Sequence, residues 1–445
     1  MVIAVPHGRT FGRRKVFMRI DGLEVLSDDD SLTWGQLDFL IAAHRNDENP
    51  HHMILRKSIS LKDGRHAERV LDAIDKLICR HDALRVIVDI DAGKICGWGV
   101  FSRADWVSYV DDDSKERLFH RAASELRVDQ GPPLRCLIVG SPPDRCEIWV
   151  SHYVADGAGM TTLRGEIDDV LHGRKLPPAV QLTDVRKYES SDRGLQQADR
   201  NERWATSVLA SADSTWLVKP GNGTRVATRA VASGRSTFVK AKAIASKLRV
   251  PVAAVLLMSL IVVAHKETSS TEGMVKSLFR NSIRGAVCIA PSTFNAFVPF
   301  DIASARSVED LLRLVASQSL GAYMHARYRP GQIEILESHV AQALGTPSLD
   351  GMVYMNFRPP NAAVSDPAPG VDDTRIVMDS LAKSLPYRVQ LELFPSTDRE
   401  MTIRVHVNGL QFYADAAEFL SAFRSCIEQL ATLPPASRWQ ELLGK

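Results

Sequence analysis

The sequence has few cysteines, and they are not arranged as metal ligands or as a disulfide framework. Six cysteines are scattered along 445 residues, and no two of them form a Cys-x-x-Cys pair. Structural zinc sites and thioredoxin-like redox motifs need that close spacing. The adjacent His51 and His52 also have no further residues of ligand type around them. We therefore predict no bound metal and reduced, mostly buried thiols.

The sequence also lacks an excess of one charge and a long apolar run. The net charge is only +2, which favours neither nucleic acid nor an anionic membrane as a partner. The longest apolar run, from Val252 to Ala264, is too short to span a bilayer and is typical of a buried helix. The basic start of the chain precedes no apolar segment of the kind found in secretory signals. These absences predict a soluble protein of the cytoplasm.

What the sequence does contain is an alternation of helices and strands, over a length that suits two or three compact units. Segment 64–80 predicts an amphipathic helix that ends near His81, with one apolar stripe at Val70, Ile74, Leu77 and Ile78. The string "CEIWVSHY" predicts a strand with Cys146, Ile148, Val150 and His152 on one face. Polar sequence from 173 to about 234 suggests a crossover between two halves. The pattern predicts a mixed α/β fold.

One short string, "SHYVADGAGM" from Ser151 to Met160, carries a histidine, an aspartate four residues later and a glycine beside it. By chance, a His-x-x-x-Asp-Gly string arises in about one chain of this length in twenty. Here the string joins a predicted strand to a predicted helix, with His152 at the end of the apolar strand face. Burial on that face favours a neutral imidazole that can accept a proton.

Several strings in order resemble those of the condensation-domain superfamily, which includes nonribosomal peptide synthetase condensation domains and freestanding polyketide-associated acyltransferases. They are "SLTWGQLDFL" from Ser31, "RHDALRV" from Arg80, "GPPLRCLIV" from Gly131, "SHYVADG" from Ser151, and "LFRNSIRG" followed by "FNAFVPFDI". The resemblance covers residues from about 30 to 430. Two departures are that Ser151 stands where the family has a first histidine, and that Arg280 and Asn295 are one residue further apart than usual.

The resemblance implies two chloramphenicol-acetyltransferase-like subdomains that form a V, with the active site and a substrate tunnel at their interface. We place these subdomains at residues 1–175 and 235–445, joined by a crossover at 176–234. Because no carrier-protein, adenylation or thioesterase motif accompanies the strings, we expect a stand-alone acyltransferase. It would move an acyl group from a thioester, on coenzyme A or a carrier protein, to a hydroxyl or amine in specialised metabolism. The resemblance implies no bound cofactor.

The same resemblance assigns roles to individual residues. His152 is expected to be the general base, and the backbone N–H at Gly157 is a candidate donor to the developing oxyanion. Asp156 is expected to shape the loop, rather than orient the imidazole, through an ion pair with Arg280 or, as a second choice, Arg284. Three further residues are candidates for lining the tunnel: Ser151, Asn295 and Asn356. The two asparagines are equally suited to plain turns.

Two other kinds of function stay open on these residues. A binding module could keep the fold and recruit a carrier protein or a partner enzyme without catalysis. The intact His152, Asp156 and Gly157 favour an enzyme, because a docking module has no need of them. Epimerisation or cyclisation could also use this scaffold, although no residue selects either. The donor, the acceptor and the choice of ester or amide depend on many dispersed side chains that shape a tunnel.

Overall fold

A computed structural model describes residues 16–20, 23–26, 31–45, 53–61, 66–111, 115–211, 227–268, 270–280, 283, 288–346, 348–349, 351–358, 376–380, 387–395 and 400–443. Helices and strands alternate along these ranges, so the predicted mixed α/β class is confirmed. The chain divides into two compact units. The first comprises residues 1–199, 280–293 and 328–332, and the second comprises 200–279, 294–327 and 333–445.

The first unit contains a mixed sheet and helices packed on it. Its strands are β1 (Val16–Ile20), β2 (Leu23–Leu26), β3 (Ile54–Ser60), β4 (Val86–Asp89), β5 (Lys94–Trp98), β6 (Val107–Val110), β7 (Leu134–Val139) and β8 (Arg145–Ser151). Its helices are α1 (Trp34–Arg45), α2 (Ala67–Arg80), α3 (Lys115–Glu125), α4 (Gly157–Leu171) and α5 (Leu182–Ser190). Among the strands described, β3, β8, β7 and β6 form one sheet in that order, and β6 and β7 run parallel.

Strand β8 lies between β3 and β7, and this central position explains its composition. Every residue from Cys146 to Ser151 is buried, because both faces of the strand are covered. The predicted stripe of α2 is confirmed, since all four of its apolar residues are buried. The predicted strand, which included His152 and Tyr153, extends two residues too far. Strand β8 ends at Ser151, and His152 begins the turn that leads to α4.

The second unit is built on a larger sheet. Its strands are β9 (Thr228–Ser233), β10 (Glu272–Arg280), β11 (Thr293–Asp301), β12 (Val353–Phe357), β13 (Ile376–Ser380), β14 (Val389–Pro395) and β15 (Met401–Val407). Its helices are α7 (Arg235–Leu248), α8 (Val252–Thr268), α9 (Val308–Met324), α10 (Pro330–Ala343), whose first three residues belong to the first unit, and α11 (Ala416–Thr432). The described strands pair in the order β11-β10-β12-β14-β15-β9-β13. Short 3₁₀ helices cover Asp82–Arg85 and Arg103–Asp105 in the first unit and Trp439–Leu443 in the second.

The apolar run at Val252 forms α8, whose residues from Ala254 to Ala264 are all buried, as predicted for a core helix. No single helix in the described ranges is both long and apolar enough to cross a bilayer. The helices α7 and α8 meet such a criterion only as a pair, and they are bent by 111° with respect to each other.

The segment expected to be a crossover, 176–234, is largely helical where it is described. It contains α5, β9 and a further helix, α6 (Asp192–Ala210), in which the boundary between the two units falls. Helix α6 buries few apolar residues, and two of these are small. At helical spacing it buries Ala198, Ala205 and Leu209. That face is too weakly apolar to stand out in the sequence, and the expected subdomain boundaries stay a prediction.

Candidate functional site

The backbone at His152 is hydrogen-bonded to residues that directly precede the two neighbouring strands, β7 and β3. The N–H of Ser151 donates to the carbonyl of Pro133 at 2.9 Å, and the N–H of His152 donates to the carbonyl of Met53 at 2.7 Å. The half-buried imidazole packs against the ring of Phe39, with 3.8 Å between ring centroids and 38° between ring planes. The turn after β8 therefore presents His152 from a fixed backbone, against an aromatic side chain from α1.

Ser151 lies inside the first unit. Its side chain is almost fully buried, and its hydroxyl accepts the N–H of Tyr153 at 3.3 Å. The three residues that follow His152 are fully buried: Tyr153, Val154 and Ala155. Ser151 therefore accepts a hydrogen bond from the turn that follows it, and its expected role in lining a tunnel stays a prediction.

Asp156 is the N-cap of α4, and its carboxylate is satisfied by neutral donors. Oδ1 accepts the N–H of Gly159 at 2.7 Å. Oδ2 accepts the N–H of Ser292 at 2.9 Å, its hydroxyl at 3.3 Å, and the hydroxyl of Thr293 at 2.6 Å. Asp156 as a whole residue is 1% exposed. It thus connects the start of α4 to residues 292–293 and does not bond to the imidazole of His152.

The predicted ion pair between Asp156 and Arg280 is wrong. Both residues are described, and no oxygen of Asp156 lies within ion-pair distance of the guanidinium, whose buried Nε and Nη2 have no hydrogen-bond partner. Both charges nevertheless influence Cys288: burial raises the pKa of its thiol to about 12, Asp156 adds to that shift and Arg280 opposes it. The neutral donors of residues 292 and 293 already satisfy the carboxylate, which is why it needs no arginine. The second choice, Arg284, lies outside the described residues.

Two glycines at helix starts allow the segment around residues 289–291 to pass close by. A Cβ at Gly159 in α4 would collide with the carbonyl of Ile289, and a Cβ at Gly35 in α1 would collide with that of Pro291. At both glycines, the close neighbour is therefore the backbone of the chain itself. Helix α4 begins at Gly157, so the N–H of Gly157 belongs to the first turn, where a helix offers no internal acceptor.

Comparison with known proteins supports a single family. The family model of the condensation domain matches residues 39–443. This chain belongs to the condensation domain family. It is 30% identical over 149 residues to one of the subunits of the linear gramicidin synthase of Brevibacillus parabrevis, a match that covers 30% of this chain and only 3% of that protein.

Solved structures of condensation domains have the same fold. The condensation domain of the monacolin K polyketide synthase MokA superposes with a TM-score of 0.70 at 14% identity, covering 92% of this chain and 98% of that one. A condensation domain that mediates chain release from the enacyloxin polyketide synthase gives 0.64 at 17% identity, covering 94% and 86%. Condensation domains act on thioesters attached to carrier proteins and do not use a metal cofactor.

In this condensation domain, the sequence reasoning missed a second buried carboxylate on α4. Glu166 lies 2.5 Å from Nε2 of His81 and 3.3 Å from Nε of Arg80. Burial acts to raise the pKa of Glu166, but the hydrogen bond and charge of His81, followed by those of Arg80, lower it overall. His81 does end α2, as expected, since its N–H donates to the carbonyl of Leu77. Only the folded chain reveals that its ring also faces Glu166.

The two asparagines lie in strands of the second unit rather than in turns. Asn295 belongs to β11 and Asn356 to β12, and both are half-buried. Asn356 pairs in register with Glu392 of β14. Their expected role in lining a tunnel stays a prediction. Ser292, Thr293 and Phe39 were missed altogether, because no local pattern indicates which hydroxyl or ring will reach a site far along the chain.

Proposed function

We propose that this condensation domain catalyses acyl transfer from a thioester to a hydroxyl or amine acceptor, with His152 as the general base. The observation that carries the proposal is the division of roles within the motif. Asp156 is fully engaged in fixing the turn and the start of α4, while His152 stands at the head of that turn with its backbone fixed. A turn whose backbone is fixed by hydrogen bonds can hold its histidine in the position that a general base needs.

The chemistry requires only groups that this chain supplies. His152 takes the proton of the acceptor O–H or N–H as that atom forms a bond to the acyl carbon. The carbon–sulfur bond of the thioester then breaks, and the proton passes to the departing sulfur, so that a thiol is released. Imidazole suits both steps because it exchanges protons near neutral pH.

The start of α4 supports the same reaction. Negative charge develops on the acyl oxygen during attack, and N–H groups at a helix start stabilise such charge. Because Asp156 takes the N–H of Gly159, the N–H groups nearer the helix start, beginning with Gly157, are the ones we assign to the oxyanion. The donor thioester is proposed to be a pantetheine thioester, on a carrier protein or on coenzyme A.

The test compares His152→Ala with the matched variant Ser151→Ala. Thiol release is followed with acyl-pantetheine thioesters and a panel of amine and hydroxyl acceptors. We expect His152→Ala to slow transfer by roughly 10²–10⁴ with the fold intact, which is the usual contribution of a general base. Ser151→Ala, at the adjacent residue that ends β8, should cost far less. Full activity in the His152 variant would refute the assignment, and unfolding of that variant would favour a structural histidine. A wild-type protein that binds a carrier protein but never turns over would indicate a recruitment module.

A further inference from the structure

The sheet of the second unit has a polar face on two neighbouring strands. Side chains alternate between faces along a strand. On β14, the apolar Val389, Leu391 and Leu393 alternate with Gln390, Glu392 and Phe394. On β15, Ile403, Val405 and Val407 alternate with Thr402, Arg404 and His406. Because β14 and β15 are antiparallel, with Glu392 opposite Arg404 and Gln390 opposite His406, the polar residues share one face.

Three of these residues form a cluster, in which Glu392 and His406 are buried and Arg404 is partly exposed. Oε2 of Glu392 accepts a hydrogen bond from Nη1 of Arg404 at 3.1 Å and lies 3.3 Å from Nε2 of His406. Burial acts to raise the pKa of Glu392, but the hydrogen bond of His406 and the charges of Arg404 and Arg358 lower it overall. Glu392 is therefore ionised near neutral pH, and the Nε2–H of His406 is donated to a carboxylate.

That bond makes Nε2 of His406 a nitrogen that carries a proton. When the Nε2–H of a neutral imidazole is donated to a carboxylate, Nδ1 is left as an acceptor. Here Nδ1 is buried and has no hydrogen-bond partner, in a residue that is only 8% exposed. The Nε–H of Arg404, two residues away on the same face, is also buried and unpartnered. Buried polar atoms without partners are rare in native proteins, because each costs about 1–3 kcal/mol.

We propose that this cluster, Glu392 with Arg404 and His406, is a binding site for a substrate group that donates an O–H or N–H hydrogen bond to Nδ1 of His406. Asn356, opposite Glu392 on the neighbouring strand, and the Nε–H of Arg404 offer the same ligand further polar contacts. Asn356 is half-buried and the side chain of Arg404 is 32% exposed, so these two residues form the exposed side of the cluster. The proposal rests on the proposed function only in taking the ligand to be one of its two substrates.

Two substrates could supply such a donor: the pantetheine arm of the thioester, through its hydroxyl and amide groups, or the acyl acceptor. The first experiment titrates the whole chain, labelled with ¹⁵N-histidine, with pantetheine and separately with L-serine methyl ester, which carries both a hydroxyl and an amine. We expect the Nδ1 resonance of His406 to shift and saturate with one of the two probes, and that probe identifies the source. If neither probe shifts the resonance, the proposal is wrong.

Two substitutions of His406 distinguish the roles of its two ring nitrogens. A glutamine amide can take the place of Nε2 and keep the bond to Glu392, whereas an asparagine oxygen can take the place of Nδ1. We expect His406→Gln to raise the dissociation constant of the responding probe by about three- to tenfold, the value of one hydrogen bond, and His406→Asn to raise it less. Equal binding by His406→Gln and the wild type would overturn the proposal, provided that the urea midpoints also match.

Two further readouts complete the test. A crystal structure with the responding probe should place its O–H or N–H within hydrogen-bond distance of Nδ1, and water alone at that atom would refute the proposal. The same titration of His152→Ala should still show a saturable shift of the His406 resonance, because binding at His406 does not need turnover. If acyl transfer is never observed while the shift persists, the proposed function fails and the binding site stands.

Discussion

Helix α4 carries two buried carboxylates that are stabilised in different ways. Asp156, at the N-cap, is surrounded by neutral N–H and O–H groups from its own helix and from residues 292 and 293. Glu166, further along the helix, faces the cationic Arg80 and the imidazole of His81. Burying a charge is costly unless hydrogen bonds or opposite charges compensate. The two sites show that one helix uses both kinds of compensation.

The difference has a consequence for the turn that contains His152. The bonds of Asp156 fix the start of α4 to the segment near residue 292, and those of Glu166 fix the middle of the helix to the end of α2. The turn after β8 is therefore joined to a helix that is anchored at two points. The contacts at Asp156 act directly beside His152, so breaking them should affect the site most.

The largest effect is expected for Asp156→Ala. The substitution removes a helix cap and leaves buried donors of Gly159, Ser292 and Thr293 without an acceptor, which should cost about 2–5 kcal/mol of unfolding free energy. Urea denaturation measures that cost, and acyl transfer should fall with it. Asp168→Ala on the same helix is the control, because its contact with Arg164 is near the surface and should contribute at most about 1 kcal/mol. Equal losses in the two variants would mean that the N-cap site has no special role.

The next effect sharpens the same comparison through the backbone. Gly159→Ala would place a Cβ against the carbonyl of Ile289, and we expect a loss of about 1–3 kcal/mol from overpacking. Gly165→Ala, in the same helix, meets no atom within 4 Å and should gain up to about 1 kcal/mol from helix propensity. Thermal denaturation of the two variants should therefore shift in opposite directions. A stabilised Gly159→Ala would show that the segment near Ile289 lies further away.

Sequence patterns could predict the parts of this fold that are governed by local periodicity. The stripe of α2, the core helix at Val252 and the junction between β8 and α4 are such parts, and the ordered motifs indicated the family. The partner of Asp156 depends on which distant hydroxyl reaches it, and periodicity carries no information on that. The family pattern suggested an arginine, whereas Ser292 and Thr293 occupy the place. Helix α6 was missed because the face it buries is weakly apolar.

A smaller effect is expected in the pH dependence of stability, to which the carboxylate of Glu166 contributes. The folded-state pKa of Glu166 lies below its ordinary value of 4.5, so its contribution to stability is present above that pH and is lost as the pH falls through the folded value. Urea midpoints measured from about pH 6 to about pH 3 should therefore fall less steeply in Glu166→Gln than in the wild type. Glu68→Gln, at a carboxylate that is 67% exposed, should keep the wild-type slope. Identical slopes in Glu166→Gln and the wild type would contradict a lowered pKa.

The smallest effect is expected at Arg280, where the family pattern and the structure disagree. If an ion pair between Asp156 and Arg280 stabilised the turn, removing the arginine would leave a buried carboxylate uncompensated and cost about 3–5 kcal/mol. In the structure, neutral donors already satisfy that carboxylate, and Nε and Nη2 of Arg280 have no partner to lose. Arg280→Gln should therefore change the unfolding free energy by no more than about 1 kcal/mol. A double-mutant cycle with Asp156→Asn makes the test specific, because two residues that do not interact should show a coupling energy below about 0.5 kcal/mol. A coupling energy of several times that value would mean that the two side chains do pair in solution, and that both carboxylates of α4 are held by charge.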